Sequence, residues 1–324
     1  MERYGGRLGF ERALTLMAKT LSDTRVVGTS LLVSISDVVL NLLVAAATGS
    51  TVLISQALQG LSDLLTGGLL LLGVKRSKRA ADRAHQFGYG REVFFWVLMA
   101  GVLMFLGTGG LSVYFGVRQF IDPAPIYNVA LAFIMLTLGL VSNFYSFSLS
   151  VRRLHQTNTH SGWWWQLRHS SIVETKATLL IDFLGTVAAL LGLLAMTCYL
   201  ATGDSRLDGL GSIAIGLVMM VASFYLIRDV RDLIVGRSVD PMLAGRIIGT
   251  VESVSGVHSV LDLRTMYLGS GKLLIILEVH IHDGLSTDQI EKIMDDVKRQ
   301  VRDEIPEAHH IQVEVETPDS ELYK

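Results

Sequence analysis

Two pairs of polar residues interrupt apolar stretches of this sequence at a spacing of one helical turn. Gln59 and Asp63 lie within LISQALQGLSDLLTGGLLLLG, and Thr178 and Asp182 lie within TKATLLIDFLGTVAALLGLL. Residues four apart share one face of an α-helix. An ionised carboxylate in hydrocarbon costs about 2.5–3.5 kcal/mol or more, so each aspartate requires a partner. A metal cation in transit is the partner that these residues suggest.

Two helices that each offer a carboxylate and one further oxygen ligand could form a four-coordinate cation site. Carboxylate, amide and hydroxyl oxygens are hard donors, which suit Mg²⁺ or Mn²⁺ better than the imidazole-rich sets that suit Zn²⁺. The carboxylates could also take up protons when the metal leaves, which would couple the two movements. The alternative is that each aspartate is paired inside a helix bundle and serves packing alone.

A third acid, Asp37, lies in another apolar stretch, with Asn41 one turn later. The same spacing makes these two residues a possible secondary metal site. A structural pair that serves packing within the bundle is the preferred interpretation.

Six apolar spans must position these residues. The chain is 50% hydrophobic and only 18% charged, which favours a membrane protein over a soluble one. Each span is long enough to cross a hydrocarbon layer of about 30 Å as a helix. None of the five prolines lies within a span. The predicted spans are residues 26–47, 52–74, 93–117, 127–151, 177–200 and 209–228.

Alternate loops differ in their basic residues, which predicts the orientation of the chain. Residues 75–91, 152–176 and 228–237 are rich in Lys and Arg, whereas 48–51 has none and 201–208 has only Arg206. Basic loops stay on the cytoplasmic side. We therefore expect an integral membrane protein with both termini in the cytoplasm, a membrane domain at 26–237 and a cytoplasmic arm at 1–25. No cleavable signal is evident in that arm.

The last part of the chain has the pattern of a small α+β domain, predicted to span residues 238–324. Residues 239–324 carry 8 basic and 16 acidic side chains, which gives no support for nucleic-acid binding. The pattern predicts a helix over 240–253, strands over 258–267 and 272–282, a second helix that begins with a Ser286/Gln289 capping box, and a strand over 310–316. So small a module buries little core, so pairing with a second copy would help it.

Histidines suggest two further metal sites, and each has a simpler interpretation. Glu278, His280 and His282 alternate onto one face of a predicted strand, where a solvated face is preferred over a regulatory metal site. Residues 152–176 contain His155, His160, His169 and Trp163-Trp164-Trp165. Tryptophans anchor at the headgroups, so an interfacial segment is preferred there over a metal-collecting loop. The single cysteine, Cys198, excludes a disulfide framework and a cysteine zinc cluster.

The spans, the positions of Asp63 and Asp182, the loop HQFGYGREVFFW and the segment GVHSVLDLRTMYLG together resemble the cation diffusion facilitator (cation efflux) family. The resemblance covers nearly the whole chain. It implies a homodimer with six transmembrane helices per protomer and a cytoplasmic metallochaperone-like domain. It also implies export of a divalent metal, usually Zn²⁺, in exchange for protons by alternating access.

The sequence departs from the family pattern at the first position of each ligand pair. The family usually has His or Asp where Gln59 and Thr178 stand, so Mn²⁺, Fe²⁺ and Mg²⁺ join Zn²⁺ as candidate substrates. In the loop between spans two and three, Asp82 and His85 match a secondary family site, and Tyr89 stands where a second His is common. A polar loop near the headgroups is the alternative interpretation of these loop residues.

The sequence therefore predicts a proton-coupled divalent metal exporter of the plasma membrane, which is the inner membrane in a bacterium. A non-transporting membrane protein whose tail senses metal or recruits partners is the alternative, because the first-position ligands are missing. An enzyme is not expected, since the spans contain no nucleophile–base pair and no HExxH motif.

Overall fold

A computed structural model describes residues 35–157 and 173–318 of the chain. The arm at 1–25, His160, His169 and the three consecutive tryptophans lie outside the described residues, as does the side chain of His155. The predictions made for them therefore stay predictions.

Six helices occupy the predicted spans. They are α1 (Ile35–Thr48), α2 (Thr51–Ser77), α3 (Glu92–Ile121), α4 (Val129–Thr157), α5 (Val173–Thr202) and α6 (Arg206–Val235). Helices α2 to α6 are long and apolar enough to cross a membrane. Helix α1 is described from Ile35, and the first nine residues of the predicted first span, 26–34, lie outside the described residues. The prediction of a multi-pass α-helical membrane protein is confirmed.

Glycines bring α3 and α6 into close contact. A Cβ atom on Gly116 would lie 2.6 Å from the carbonyl oxygen of Gly209, and one on Gly216 would lie 2.8 Å from that of Gly109. Small residues allow the backbones of membrane helices to approach in this way. Gly107 is different, because nothing lies within 4 Å of its Cβ position; it belongs to a π-helical stretch of α3, Met104–Gly110.

The C-terminal part is an α+β domain, as predicted. Its elements are α7 (Pro241–Glu252), β1 (Val257–Gly269), β2 (Lys272–Ile281), α8 (Thr287–Glu304) and β3 (Ala308–Val315). The sheet has the order β1-β2-β3, with β1 and β2 antiparallel and β2 and β3 parallel. The alternate residues Leu273, Ile275 and Leu277 are fully buried in the core that α7 and α8 cover.

The capping box at the start of α8 is confirmed. The Ser286 hydroxyl accepts a hydrogen bond from the Gln289 backbone N–H, and the Gln289 side chain accepts one from the Ser286 N–H. Both interactions satisfy N–H groups that a helix start leaves unpaired.

The described residues fall into two compact units, and α2 to α6 each contribute residues to both. The first unit contains the chain up to Gly67, Leu103–Tyr145 and Phe183–Val221. The second contains Gly68–Val102, Ser146–Asp182 and the chain from Ala222 onwards, including the α+β domain. Gln59 and Asp63 therefore belong to the first unit, and Thr178 and Asp182 belong to the second.

Candidate metal site

Helix α2 carries a buried polar face through an otherwise apolar sequence. Five polar side chains on this face are at least nine-tenths buried: Ser55, Gln56, Gln59, Ser62 and Thr66. Apart from the adjacent Ser55 and Gln56, they follow one another at intervals of three or four residues. Four atoms on this face have no hydrogen-bond partner among the described residues, namely Gln56 Nε2, Gln59 Oε1, Ser62 Oγ and Thr66 Oγ1. Unpaired polar atoms are costly in a membrane interior, so this face is suited to water or to an ion.

Gln59 lies at the centre of this polar face. It is only 4% exposed, and its amide nitrogen lies 3.0 Å from the position of a Cβ on Gly185 of α5. The absence of a side chain at Gly185 therefore gives the Gln59 amide its space. Asp63, one turn further along α2, is half-buried.

In the second unit, Asp182 is half-buried and accepts a hydrogen bond from the hydroxyl of Ser150 on α4. Thr178, one turn earlier on α5, is exposed. The assignment of Gln59, Asp63, Thr178 and Asp182 to one cation site stays a prediction.

The structure places Asp37 against α2. Its carboxylate oxygen lies 3.9 Å from the Cβ position of Gly60, the residue that follows Gln59. Asn41 is buried, and its amide donates a 2.9 Å hydrogen bond to the backbone carbonyl of Asp37. The residues of this predicted secondary pair are thus in contact with each other. A metal there stays a prediction.

The predicted loop site, Asp82 and His85, forms a local hydrogen-bonded turn. One carboxylate oxygen of Asp82 accepts hydrogen bonds from the backbone N–H groups of Ala84 and His85, and the other accepts a 2.6 Å hydrogen bond from the Tyr89 hydroxyl. The His85 ring nitrogen lies 3.5 Å from the same carboxylate. These donors stabilise the ionised form, so the pKa of Asp82 is below its ordinary value, with the Tyr89 hydrogen bond as the largest cause.

We expect Tyr89→Phe to raise the pKa of Asp82 towards its ordinary value, because the variant removes the strongest donor to the carboxylate. A carboxyl whose pKa is lowered by folding stabilises its loop above the pKa of the unfolded chain, and that contribution is lost as the pH falls through the folded pKa. A ¹³C NMR titration of labelled aspartates in nanodiscs measures the change. Tyr127→Phe, an exposed tyrosine before α4, is the control; equal titrations in both variants would contradict the assignment.

Three of the five histidines of the C-terminal domain, His258, His280 and His282, lie close together at one end of the sheet. The ring centroid of His258 lies 5.2 Å from that of His280 and 5.6 Å from that of His282, which directly follows β2. Loss of hydration and the carboxylates of Glu316 and Asp262 raise the pKa of the neighbouring Glu278. Within residues 35–157 and 173–318, no three His, Cys, Asp or Glu side chains are arranged to hold a metal ion. The regulatory metal site therefore stays a prediction.

Sequence reasoning missed Asp208, which is fully buried in the first turn of α6. Its carboxylate accepts hydrogen bonds from the Ser50 hydroxyl and, at 2.6 and 2.7 Å, from the N–H and hydroxyl of Thr51 at the start of α2. The residue immediately precedes the predicted sixth span, where an acid normally faces the headgroups. Its only sequence signal was its position at a span boundary.

Comparison with known proteins identifies the family. Residues 28–235 match the family described as "Cation efflux transmembrane domain", and residues 239–318 match "Cation efflux protein, cytoplasmic domain". The human "Proton-coupled zinc antiporter SLC30A9, mitochondrial" is 29% identical over 234 residues, which cover 72% of this chain and 41% of that protein. This chain thus spans about two fifths of the length of that relative.

Two further proteins are similar to this chain, and the two matches differ in how much of the chain they cover. The "Metal cation efflux system protein CzcD" of Cupriavidus metallidurans is 25% identical over 267 residues, which cover 81% of this chain and 77% of that protein. A solved structure of the MamM CTD in a nickel form is 22% identical, with a TM-score of 0.23, and the match covers 25% of this chain and 100% of that chain. The family match over most of the membrane domain agrees with the resemblance seen in the sequence. The chain therefore belongs to the cation efflux family.

Proposed function

We propose that the protein exports a divalent metal cation across a membrane in exchange for protons. The observation that carries this proposal is the buried polar face of α2, in which Gln59 Oε1 is buried without a hydrogen-bond partner among the described residues. Membership of the cation efflux family supports it, as do the names of the relatives, which are a zinc/proton antiporter and a metal cation efflux protein. The role is transport rather than enzymatic catalysis.

In this proposal, Gln59, Asp63, Thr178 and Asp182 hold the cation during transport. Two carboxylates carry two negative charges, which one divalent cation or two protons neutralise. Both loaded forms of the site are therefore neutral, whereas the empty form would carry a net charge of two negative units in hydrocarbon, which is costly. This difference in free energy couples metal exit to proton entry. The site can switch its access from one side of the membrane to the other at low cost only when it holds a metal or protons.

The donor set bears on the choice of metal. Gln59 and Thr178 supply neutral oxygen, and neither is an imidazole, so oxygen-preferring Mn²⁺, Fe²⁺ and Mg²⁺ are candidates beside Zn²⁺. The relatives are named for zinc in one case and for metal cations in general in another. The metal is the substrate of the protein and not a resident cofactor.

The proposal includes a homodimer in a lipid bilayer, with both termini in the cytoplasm. The match of residues 239–318 to the family's cytoplasmic domain supports this arrangement, since the small α+β domain gains buried area from a second copy.

The division into an arm (1–25), a membrane domain (26–237) and a cytoplasmic domain (238–324) is part of the proposal. So is a plasma membrane location, although the human relative is named as mitochondrial. The acidic C-terminal domain would attract cations from the cytoplasm.

Reconstitution of the purified chain into proteoliposomes tests the function. Zn²⁺, Mn²⁺, Fe²⁺, Mg²⁺ and Cd²⁺ are supplied one at a time, and a trapped pH dye reports the proton movement. We expect at least one of these metals to drive proton flux in the opposite direction, and protein-free liposomes are the control. Metal binding to the full chain without any flux would instead support the non-transporting alternative.

A further inference from the structure

We infer that Asn143 on α4 is a specificity-determining residue of the cation site, which acts by positioning the amide of Gln59. This inference rests on the proposed function, because it concerns how the same site selects its cation. Asn143 belongs to span four, which contributes none of the four ligands predicted from the sequence.

Two amide groups approach Gly185 from two different helices. A Cβ on Gly185 would lie 2.8 Å from Asn143 Oδ1 and 3.0 Å from Gln59 Nε2. Asn143, Gln59 and Gly185 all belong to the first unit. The two side chains therefore share the space that the glycine leaves, and one water molecule or a small side-chain rotation suffices to join them.

The two atoms that lie next to Gly185 are an acceptor and a donor. Asn143 presents its carbonyl oxygen towards Gly185, and Gln59 presents its NH₂ group. A hydrogen bond from this NH₂ group to Asn143 Oδ1, direct or through one water molecule, would keep the Gln59 carbonyl oxygen in a fixed direction. That oxygen, Gln59 Oε1, is the buried atom that has no hydrogen-bond partner among the described residues. With its NH₂ group engaged by Asn143, Gln59 would have this oxygen available as a cation ligand.

A second polar residue of α4 serves the other predicted pair. Ser150 donates a hydrogen bond to Asp182, and it follows Asn143 by seven residues, which places both on one face of the helix. Each of the two contacts lies within its own unit. Both residues therefore belong to one polar face of α4. Asn143 lies near the predicted ligand Gln59, and Ser150 contacts the predicted ligand Asp182.

The chemistry of an oriented amide identifies the class of cation. A neutral carbonyl oxygen is a hard ligand, which Mn²⁺ and Mg²⁺ accept more readily than the softer Cd²⁺ does. Loss of the orienting group should therefore weaken the binding of hard cations more than that of soft ones. The expected substrate is a hard divalent cation, and Asn143 contributes to that preference without itself contacting the metal.

Asn143→Leu in proteoliposomes tests the inference through the apparent KM for Mn²⁺ and for Cd²⁺. We expect the KM for Mn²⁺ to rise about 10–100-fold, as is typical when a residue that orients a metal ligand is lost, and the KM for Cd²⁺ to change much less. Asn143→Asp keeps an oxygen acceptor for Gln59, so its KM for Mn²⁺ should stay near that of the wild type.

Glycine variants provide a second, independent test. Gly185→Ala places a Cβ against both amides and should lower the preference for Mn²⁺ over Cd²⁺ in the same direction. Gly139→Ala on α4 is the matched control, because nothing lies within 4 Å of its Cβ position. If Asn143→Leu is not monodisperse in detergent, the Gly185→Ala result decides the test.

An unchanged ratio of the two KM values in Asn143→Leu and Gly185→Ala would overturn the inference. An equal loss for Mn²⁺ and Cd²⁺ would also overturn it, since a general packing defect does not discriminate between metals. A wild-type protein that transports none of the metals would overturn the proposed function itself, which is a distinguishable result.

Discussion

Asp63→Asn and Asp182→Asn are each expected to reduce metal-driven proton flux by about 100-fold or more, beyond the 10–100-fold that loss of a supporting residue causes. Asparagine preserves the shape of aspartate but removes its charge. The site then carries one negative charge, so a bound divalent cation leaves a net positive charge in hydrocarbon, which is costly. Asparagine also cannot take up a proton in exchange for the metal.

The measurement is proton flux driven by each metal in proteoliposomes that contain equal amounts of monodisperse protein. Asp122→Asn is a matched control, because it makes the same chemical change in an exposed residue just after α3. It should retain flux close to that of the wild type. If both Asp63→Asn and Asp182→Asn retained flux within about threefold of the wild type, these two carboxylates would have no part in the mechanism.

Much of the fold could be predicted from the sequence, because hydropathy acts locally along the chain. A transmembrane helix satisfies its backbone hydrogen bonds internally, so an apolar run of sufficient length determines the element without knowledge of its neighbours. The capping box of Ser286 and Gln289 is equally local, and it is present as predicted. The spacing of Gln59 and Asp63 likewise indicated a polar helix face, which the buried residues of α2 extend.

Contacts between distant segments could not be predicted in this way. In the sequence, Asn143 is one polar residue of an apolar span. The role proposed for it depends on the contact with Gly185, 42 residues later in the chain. Asp208 reads as a boundary residue, although its carboxylate binds groups 157 and 158 residues away. In both cases the residue type is informative only when its partner is known, and a single sequence does not supply the partner.

Asp208→Ala is expected to lower the melting temperature of the protein by about 4–5 °C, which corresponds to about 3 kcal/mol for a chain of this size. The carboxylate accepts hydrogen bonds from Ser50, Thr51 and Val52, and so caps the start of α2 from the first turn of α6. Alanine would leave these donors buried and unpaired. A negative charge at this helix start also interacts favourably with the helix dipole.

Asp204→Ala is the matched control for this change, because Asp204 is an exposed acid four residues earlier. Among the described residues, its carboxylate accepts a single hydrogen bond, from the N–H of Arg206. Its loss should cost about 1 kcal/mol or less. Asp208→Asn keeps one oxygen acceptor and should fall between the two alanine variants. Melting followed by fluorescence-detected size exclusion in detergent gives all three values. Equal melting temperatures for Asp208→Ala and Asp204→Ala would show that the buried carboxylate does not hold α2 and α6 together.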